Sequence, residues 1–254
     1  MTRDFQSSVV STLTSHILEA RVSGKPVSVC NLLETELTTD EAYKIQAEVA
    51  RQIGSIGGFK VANKPNSRIM APIFQDDISN SPLDLEVPHG EAIGIELEIG
   101  FRIDSPLPSL DTPNRQSVIA QKLSAVAVIE IVRTRLPGEA SPELKLADNQ
   151  INGGLVVGTP VKNWRPESVG DVEGFLSLGD DMVLSGAVAV PGGNAFENFL
   201  VLEKMIGNHC GGLKPGQVII TGSLNGLPYV QGNIAIRGEI TGLGSVSVDL
   251  RRTS

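Results

Sequence analysis

Cysteine is nearly absent from this sequence: Cys30 and Cys210 are the only two among 254 residues. Two cysteines cannot make a disulfide framework, so a reducing cytoplasm is the expected setting. Histidine is almost as scarce, and His16, His89 and His209 lie too far apart in the chain for a zinc-type spacing or a Cys–His nucleophile signature. One tryptophan and 4% aromatic residues leave no stacking platform for single-stranded nucleic acid. Basic charge is short too, with 21 Lys and Arg against 29 Asp and Glu, which argues against a nucleic-acid partner. No apolar run approaches the ~20 residues of a membrane span, and nothing around Met1–Gln6 reads as a signal peptide. The expectation is a protein of the cytoplasm with neither membrane nor nucleic acid as partner. The motifs G-x-x-x-x-G-K-[ST], H-E-x-x-H, C-x-x-C and G-x-S-x-G are all missing, which removes the common phosphate, zincin, redox and serine-hydrolase readings.

Glycine and proline, by contrast, are plentiful, at 27 and 15 residues, and they punctuate many short apolar segments. That composition predicts a sheet-rich body. The first 57 residues are the exception, because they carry helical periodicity. Phe5, Val9, Leu13 and Ile17 recur every four residues, and Gly24-Lys25-Pro26 ends that helix. Thr38 followed by Glu41 forms a capping box for a second helix, Thr39 to Ile53, with Ala42, Ile45, Val49 and Ile53 as its buried stripe. Beyond Gly57-Gly58, strands are predicted at 59–62, 93–103, 125–132, 155–161, 182–190, 218–221, 233–240 and 246–250. Helices are predicted from Thr112 to about Leu123 and from Asn194 to about His209. Helices are too few between strands for a Rossmann sheet.

The chemistry-bearing stretch is Ile93–Ile103. Apolar residues hold every odd position, while Gly94, Glu96, Glu98, Gly100 and Arg102 share the other face. Glu96 and Glu98 therefore point the same way, roughly 7 Å apart. Two readings are open: a solvated sheet face, or a pair of carboxylates meeting a cation. Glu130 interrupts the otherwise apolar Ala125–Val132, and a buried carboxylate needs an arginine, a hydrogen bond or a metal as partner. Three carboxylates on two strands suit a hard divalent cation, Mg²⁺ or Mn²⁺. Lys60, alone in an apolar strand, reads either as a snorkelling surface lysine or as a buried amine with a lowered pKa. Asp76-Asp77 reads as a turn, and Asp148-Asn149 as an Asx turn feeding a strand.

Seven segments in order resemble the hydratase/decarboxylase branch of the fumarylacetoacetate hydrolase superfamily. They are Ala42-Tyr43-Lys44-Ile45-Gln46, Gly58-Phe59-Lys60-Val61, Glu96-Leu97-Glu98-Ile99-Gly100-Phe101, Val128-Ile129-Glu130-Ile131, Ala147-Asp148-Asn149 with Gly153-Gly154, Gly212–Leu224, and Gly242–Val246. The resemblance covers nearly the whole chain. It implies an α+β fold, a mixed β-sandwich roll (residues 58–254) behind an N-terminal helical segment (residues 1–57), assembled as a homo-oligomer. It implies Mg²⁺ or Mn²⁺ on Glu96, Glu98 and Glu130, and a small 2-oxo acid chelated there through its carboxylate and 2-oxo or enol oxygen. Lys60 would exchange the proton of dienol-to-ketone tautomerisation, and Asp76 would orient Lys60 or water. Asn63, Lys64, Asp148, Asn149 and Ser223 would contact substrate. The implied activity is hydration of a 2-hydroxy-dienoate in catabolism of aromatic or related compounds. Alternatives are decarboxylation of a 2-oxo-enedioate, C–C bond hydrolysis, or a catalytically silent homologue that binds an oxo acid or partners an active subunit. The sequence departs from the family at Ala62-Asn63-Lys64, where Gly-Leu-[TS] is usual, at Phe196 in place of Asn, and at Gln217 in place of Asp.

Overall fold

The structure is a computed structural model that describes residues 2–27, 36–136 and 140–253, with side chains from Val9 onward. Cys30 and the side chain of Phe5 lie outside the described residues.

Two helices open the chain, α1 (Thr2–Ser23) and α2 (Thr39–Ile53). The capping box forms as expected: the Thr38 side chain accepts from the Glu41 N–H, and the Glu41 carboxylate accepts from the Thr38 N–H at 2.9 Å. Leu13 and Ile17 of α1 and Ala42, Ile45 and Val49 of α2 are fully buried. They share a core cluster with Phe74, Leu136 and Leu144.

Thirteen strands follow among the described residues. An eight-stranded sheet runs in the order β2 (Ser67–Phe74), β1 (Ile56–Lys64), β10 (Val218–Ser223), β5 (Ile93–Ile103), β6 (Leu123–Val132), β7 (Asn152–Val157), β3 (Ile78–Asn80), with β11 (Tyr229–Val230) paired to β5. A five-stranded sheet runs β4 (Leu83–Val87), β13 (Gly244–Arg252), β12 (Ile234–Ile240), β8 (Asp171–Leu178), β9 (Asp181–Ala189). The helices α3 (Arg115–Ala120), α4 (Pro142–Ala147) and α5 (Ala195–Ile206) complete the body. This is the expected α+β architecture.

Alternation assigns the two faces of the larger sheet. Ile95, Leu97, Ile99 and Phe101 of β5 and Ala125, Ala127, Ile129 and Ile131 of β6 enter the main core, with Ile236, Ile240, Val246 and Val248 of the smaller sheet. The opposite face carries Val126, Val128, Leu155, Val157, Val218, Ile220 and Ile73, a separate apolar cluster. That face curls inward. The end strands β2 and β3 are joined by a single 3₁₀ turn, Gln75–Asp77, so chain connectivity brings the two ends of the sheet together into a roll.

Gly57 and Gly58 permit this closure. A β-carbon on Gly58 would lie 2.0 Å from the Val218 carbonyl oxygen, and one on Gly57 would lie 2.7 Å from Ile78 Cδ1. Backbone cannot move aside there without breaking the β1–β10 ladder, in which Gly58 pairs with Val218. Gly58→Ala is expected to cost about 3 kcal/mol or more, at the upper end of overpacking substitutions. Urea denaturation measures it, and an unchanged midpoint would contradict the close approach.

Several expectations need correction. No strand is predicted between residues 62 and 93, yet β2 lies there and includes Pro72. β2 is an end strand of the sheet, where a missing N–H is tolerated. β8 escaped notice because Glu173, Gly174 and Ser177 break up its apolar residues. The helix expected from Thr112 to Leu123 is only Arg115–Ala120, since Leu123 already belongs to β6 and is buried at 3% exposure.

Candidate functional site

Each functional side chain is placed by strand register. On the inner face of the roll Glu96 of β5 lies directly across from Glu130 of β6, and Glu98 is one inward-facing step further along, across from Val128. One oxygen from each of Glu96, Glu98 and Glu130 falls within 4.8 Å of the other two. Glu98 is 2% exposed and Glu130 0%, so the solvated-face reading does not hold.

Lys60 reaches the same cluster from β1. Its Nζ donates to Glu130 Oε1 at 2.6 Å and Oε2 at 2.8 Å, and to the Gln150 carbonyl at 3.3 Å. Glu130 also accepts from Asn152 Nδ2 at 2.7 Å. Glu98 accepts from the backbone N–H of Gly222 at 2.6 Å. A break in the β10–β5 register between Ile220 and Ser223 aims that N–H inward.

The electrostatics follow from three carboxylates and one ammonium in a dry place. Burial raises Glu96 to about 7, and the charge of Glu130 adds to the effect. Burial, then Glu130 and Glu96, hold Glu98 well above the ordinary carboxylate range. For Lys60, burial acts downward, but Glu130, Glu96 and Glu98 together outweigh it, so its pKa is raised. The lowered value expected for a buried lysine is therefore reversed by its neighbours.

These observations are the test of fit for a cation. Two of the three carboxylates are buried, all are oxygen donors, and Glu96 and Glu98 hold on to protons for want of a countercharge, the single ammonium being bonded to Glu130. Mg²⁺ or Mn²⁺, which take carboxylate oxygens and keep some of their waters, match that donor set.

The other candidate residues divide. Ser223 lies across the ladder from Glu98, beside the cluster. Asn149 is 1% exposed, and neither its Oδ1 nor its Nδ2 has a partner among the described residues. It opens a run of left-handed residues, Asn149, Gln150 and Ile151, with φ of 50°, 50° and 55°. Asp148 instead binds Arg135, accepting from its guanidinium Nε and its backbone N–H, so both oxygens are already engaged. Asn63 alternates onto the face opposite Lys60, where its amide donates to Asn198 Oδ1 on α5 at 3.0 Å. Lys64 is exposed at the end of β1. Asp76 is exposed on the 3₁₀ turn, and the bonds that orient Lys60 come from Glu130 and Gln150 instead.

Asn152, the Gln150 carbonyl and the Gly222 N–H were not singled out from the sequence. Asn152 had a signal, since it closes the polar stretch from Asp148 directly before Gly153-Gly154. The two backbone groups had none. Phe196 enters an aromatic cluster with Phe101, Trp164 and Phe199, away from the carboxylates. Gln217 follows the turn at Pro215-Gly216, and its side chain accepts from the Lys214 N–H and donates to the Ile56 carbonyl. Gln46 of the Ala-Tyr-x-x-Gln segment is structural, tying α2 to the carbonyls of Met70 and Leu146.

No family model matches the chain. Two curated proteins are similar along its length: 2-keto-4-pentenoate hydratase from Paraburkholderia xenovorans (strain LB400) and 2-keto-4-pentenoate hydratase 3 from Pseudomonas putida. Each is 26% identical over 252 residues, covering 92% of this chain and 91% of the relative. Among solved structures, 4-oxalocrotonate decarboxylase from Pseudomonas putida G7, complexed with magnesium and adipate, shares the fold with a TM-score of 0.78 at 17% identity. That match covers 97% of this chain and 98% of the other. Fumarylpyruvate hydrolase from Pseudomonas aeruginosa, in complex with Mn²⁺ and pyruvate, matches with a TM-score of 0.55 at 15% identity, over 77% of this chain and 89% of that one. The resemblance carried by the sequence motifs thus extends to named hydratases and to the fold of decarboxylase and hydrolase relatives.

Proposed function

We propose that this chain is a divalent-metal-dependent hydratase that adds water to a short 2-hydroxy-dienoate through its 2-oxo-enoate tautomer. The observation that carries the reading is the inner-face cluster, three carboxylates within 4.8 Å with Lys60 bonded to one of them. The relatives named as hydratases, at 26% identity over nearly the whole chain, support it.

Glu96, Glu98 and Glu130 would hold the Mg²⁺ or Mn²⁺, which supplies a Lewis acid for the substrate's carboxylate and 2-oxo oxygen. The chain itself does the rest. Lys60, held as an ammonium by its neighbours, stands ready to give a proton from Nζ to the far carbon of the dienol, and the proton that leaves O2 returns to Nζ, so the ammonium is restored. In the hydration that follows, water contributes its hydroxyl at C4 and a proton at C3, so no atom is left over. Glu130 and the Gln150 carbonyl fix the position of Nζ through both steps. The Gly222 N–H and Asn152 orient Glu98 and Glu130. Burial of the cluster excludes bulk water from the enolate.

The test is loss of dienol absorbance with 2-hydroxypenta-2,4-dienoate, in EDTA-treated protein with and without added Mn²⁺ or Mg²⁺. A metal-dependent rate with 4-hydroxy-2-oxopentanoate as product is the expected result. No metal-dependent turnover of any dienol or 2-oxo-enoate overturns the enzyme reading. Release of CO₂ from a 2-oxo-enedioate as the faster reaction replaces hydration with decarboxylation.

A further inference from the structure

We propose that Leu227 and Tyr229 form the wall that meets the distal end of the substrate, and that they select dienoates ending in an uncharged, apolar group over those ending in a second carboxylate. This inference rests on the hydratase reading and names the substrate class within it.

Gly94 lies two residues before Glu96 on the same inward face of β5, which places it roughly 7 Å from that carboxylate along the strand. The space over Gly94 is filled by the proposed wall. A β-carbon there would lie 2.5 Å from Leu227 Cδ1 and 3.4 Å from Tyr229 Cε1. Tyr229 pairs directly with Gly94 through β11. The charge of Glu96 is felt at the Tyr229 hydroxyl, which burial and that carboxylate together raise. Both residues remain open to the surroundings, Leu227 at 37% and Tyr229 at 55% exposure, although a large apolar residue gains by being covered. An apolar substrate tail would supply that cover.

Among the described residues, the cations near the site are committed elsewhere or too far away. Lys60 is bonded to Glu130. Arg133 is held by Glu91 at 2.8 and 2.7 Å, and Arg135 by Asp148. Lys64 shares the inward parity of Lys60 but lies four residues beyond it, roughly 13 Å along the strand at the exposed end of β1. Arg252, which reaches the Val230 carbonyl next to Tyr229, is held by that carbonyl and those of Gly232 and Pro88. A distal carboxylate against Leu227 and Tyr229 would instead lie beside three acidic groups, with no uncommitted cation near it among the described residues.

The experiment compares kcat/KM for 2-hydroxyhexa-2,4-dienoate, which ends in methyl, with 2-hydroxyhexa-2,4-dienedioate, which ends in carboxylate. The parent, Leu227→Ala, Tyr229→Ala and Leu227→Lys proteins are each tested with Mn²⁺. The parent is expected to favour the methyl-ended acid at least tenfold. Each alanine variant is expected to lose roughly tenfold on that acid, mainly in KM, with Mn²⁺ affinity unchanged. Leu227→Lys is expected to shift preference toward the diacid. Equal or reversed preference in the parent, or variants that change both substrates alike, overturns the wall. If no dienoate turns over, the hydratase reading fails, and the wall is still judged by calorimetry of 2-oxohexanoate against 2-oxoadipate on the Mn²⁺-loaded protein. Tighter binding of the monoacid, lost in the alanine variants, supports it; equal binding overturns it.

Discussion

Lys60→Met is expected to lower the proposed turnover by about 10²- to 10⁴-fold, the usual contribution of a positioned proton donor, and to destabilise the metal-free protein by roughly 3–5 kcal/mol. The two effects have one origin. Glu130 is 0% exposed, and its oxygens accept from Lys60 at 2.6 and 2.8 Å and from Asn152 at 2.7 Å. Methionine matches the length of the lysine stem but cannot donate, so a buried carboxylate keeps only the amide of Asn152. A divalent cation on Glu96, Glu98 and Glu130 would compensate that charge. Added Mn²⁺ should therefore restore most of the stability of Lys60→Met while leaving its turnover low. Urea titrations with and without Mn²⁺, together with steady-state rates, separate the two roles. A variant as stable as the parent without metal would show that the Lys60–Glu130 pair contributes nothing net, and full activity would remove Lys60 from the chemistry.

The metal-free protein should lose stability as pH rises from about 5 to 8, the reverse of ordinary acid denaturation. Glu96 titrates near 7 in the folded chain against the usual 4.5, so between those values the native state holds more protons than the unfolded state. Stability is then fully present below the unfolded value and falls as pH rises through the folded one. At about 1.4 kcal/mol per unit the Glu96 shift corresponds to roughly 3 kcal/mol, and the raised Glu98 extends the decline to higher pH. Burial depresses His209, which works the other way below about pH 6.5, so the parent is compared with Glu96→Gln to isolate the carboxylate. The Glu41 and Asp104 carboxyls, held below their ordinary values, act in more acid solution. Mn²⁺ held by the cluster would compete with those protons, and its stabilisation should grow steadily from pH 5 to 8. Denaturant midpoints at each pH give the answer; a metal-free parent that gains stability relative to Glu96→Gln over this range would refute the coupling.

Much of this was legible because it depends on residues close in sequence. The capping box at Thr38 and Glu41 needs only four residues, and the alternation of Ile93–Ile103 needs only one strand, whose predicted limits match those of β5. Glu130 announced itself as a charge in an apolar run. What stayed hidden depends on partners far along the chain. Asp148 looks like a ligand-binding carboxylate until Arg135 is found beside it, and Asn63 faces away from Lys60 because Asn198 of α5 lies on the other side of β1. The pKa of Lys60 was misjudged for the same reason, since burial was visible in the sequence and three converging carboxylates were not. The roll of the sheet left no local mark beyond Gly57-Gly58, because it is made by the strand order and the short link from β2 to β3.

That strand order has a kinetic consequence. The cluster draws on β1, β5, β6, β7 and β10, and β10 enters between β1 and β5 only after most of the chain has been made. Such long-range pairings carry a large loop-closure cost and form late on the folding route. A cation on Glu96, Glu98 and Glu130 would therefore find no preformed seat in a partly folded chain. Bound to the finished site, it would act as a brake on unfolding and leave the rate of folding unchanged, so loss of the ion would shorten the lifetime of the native state without slowing its formation.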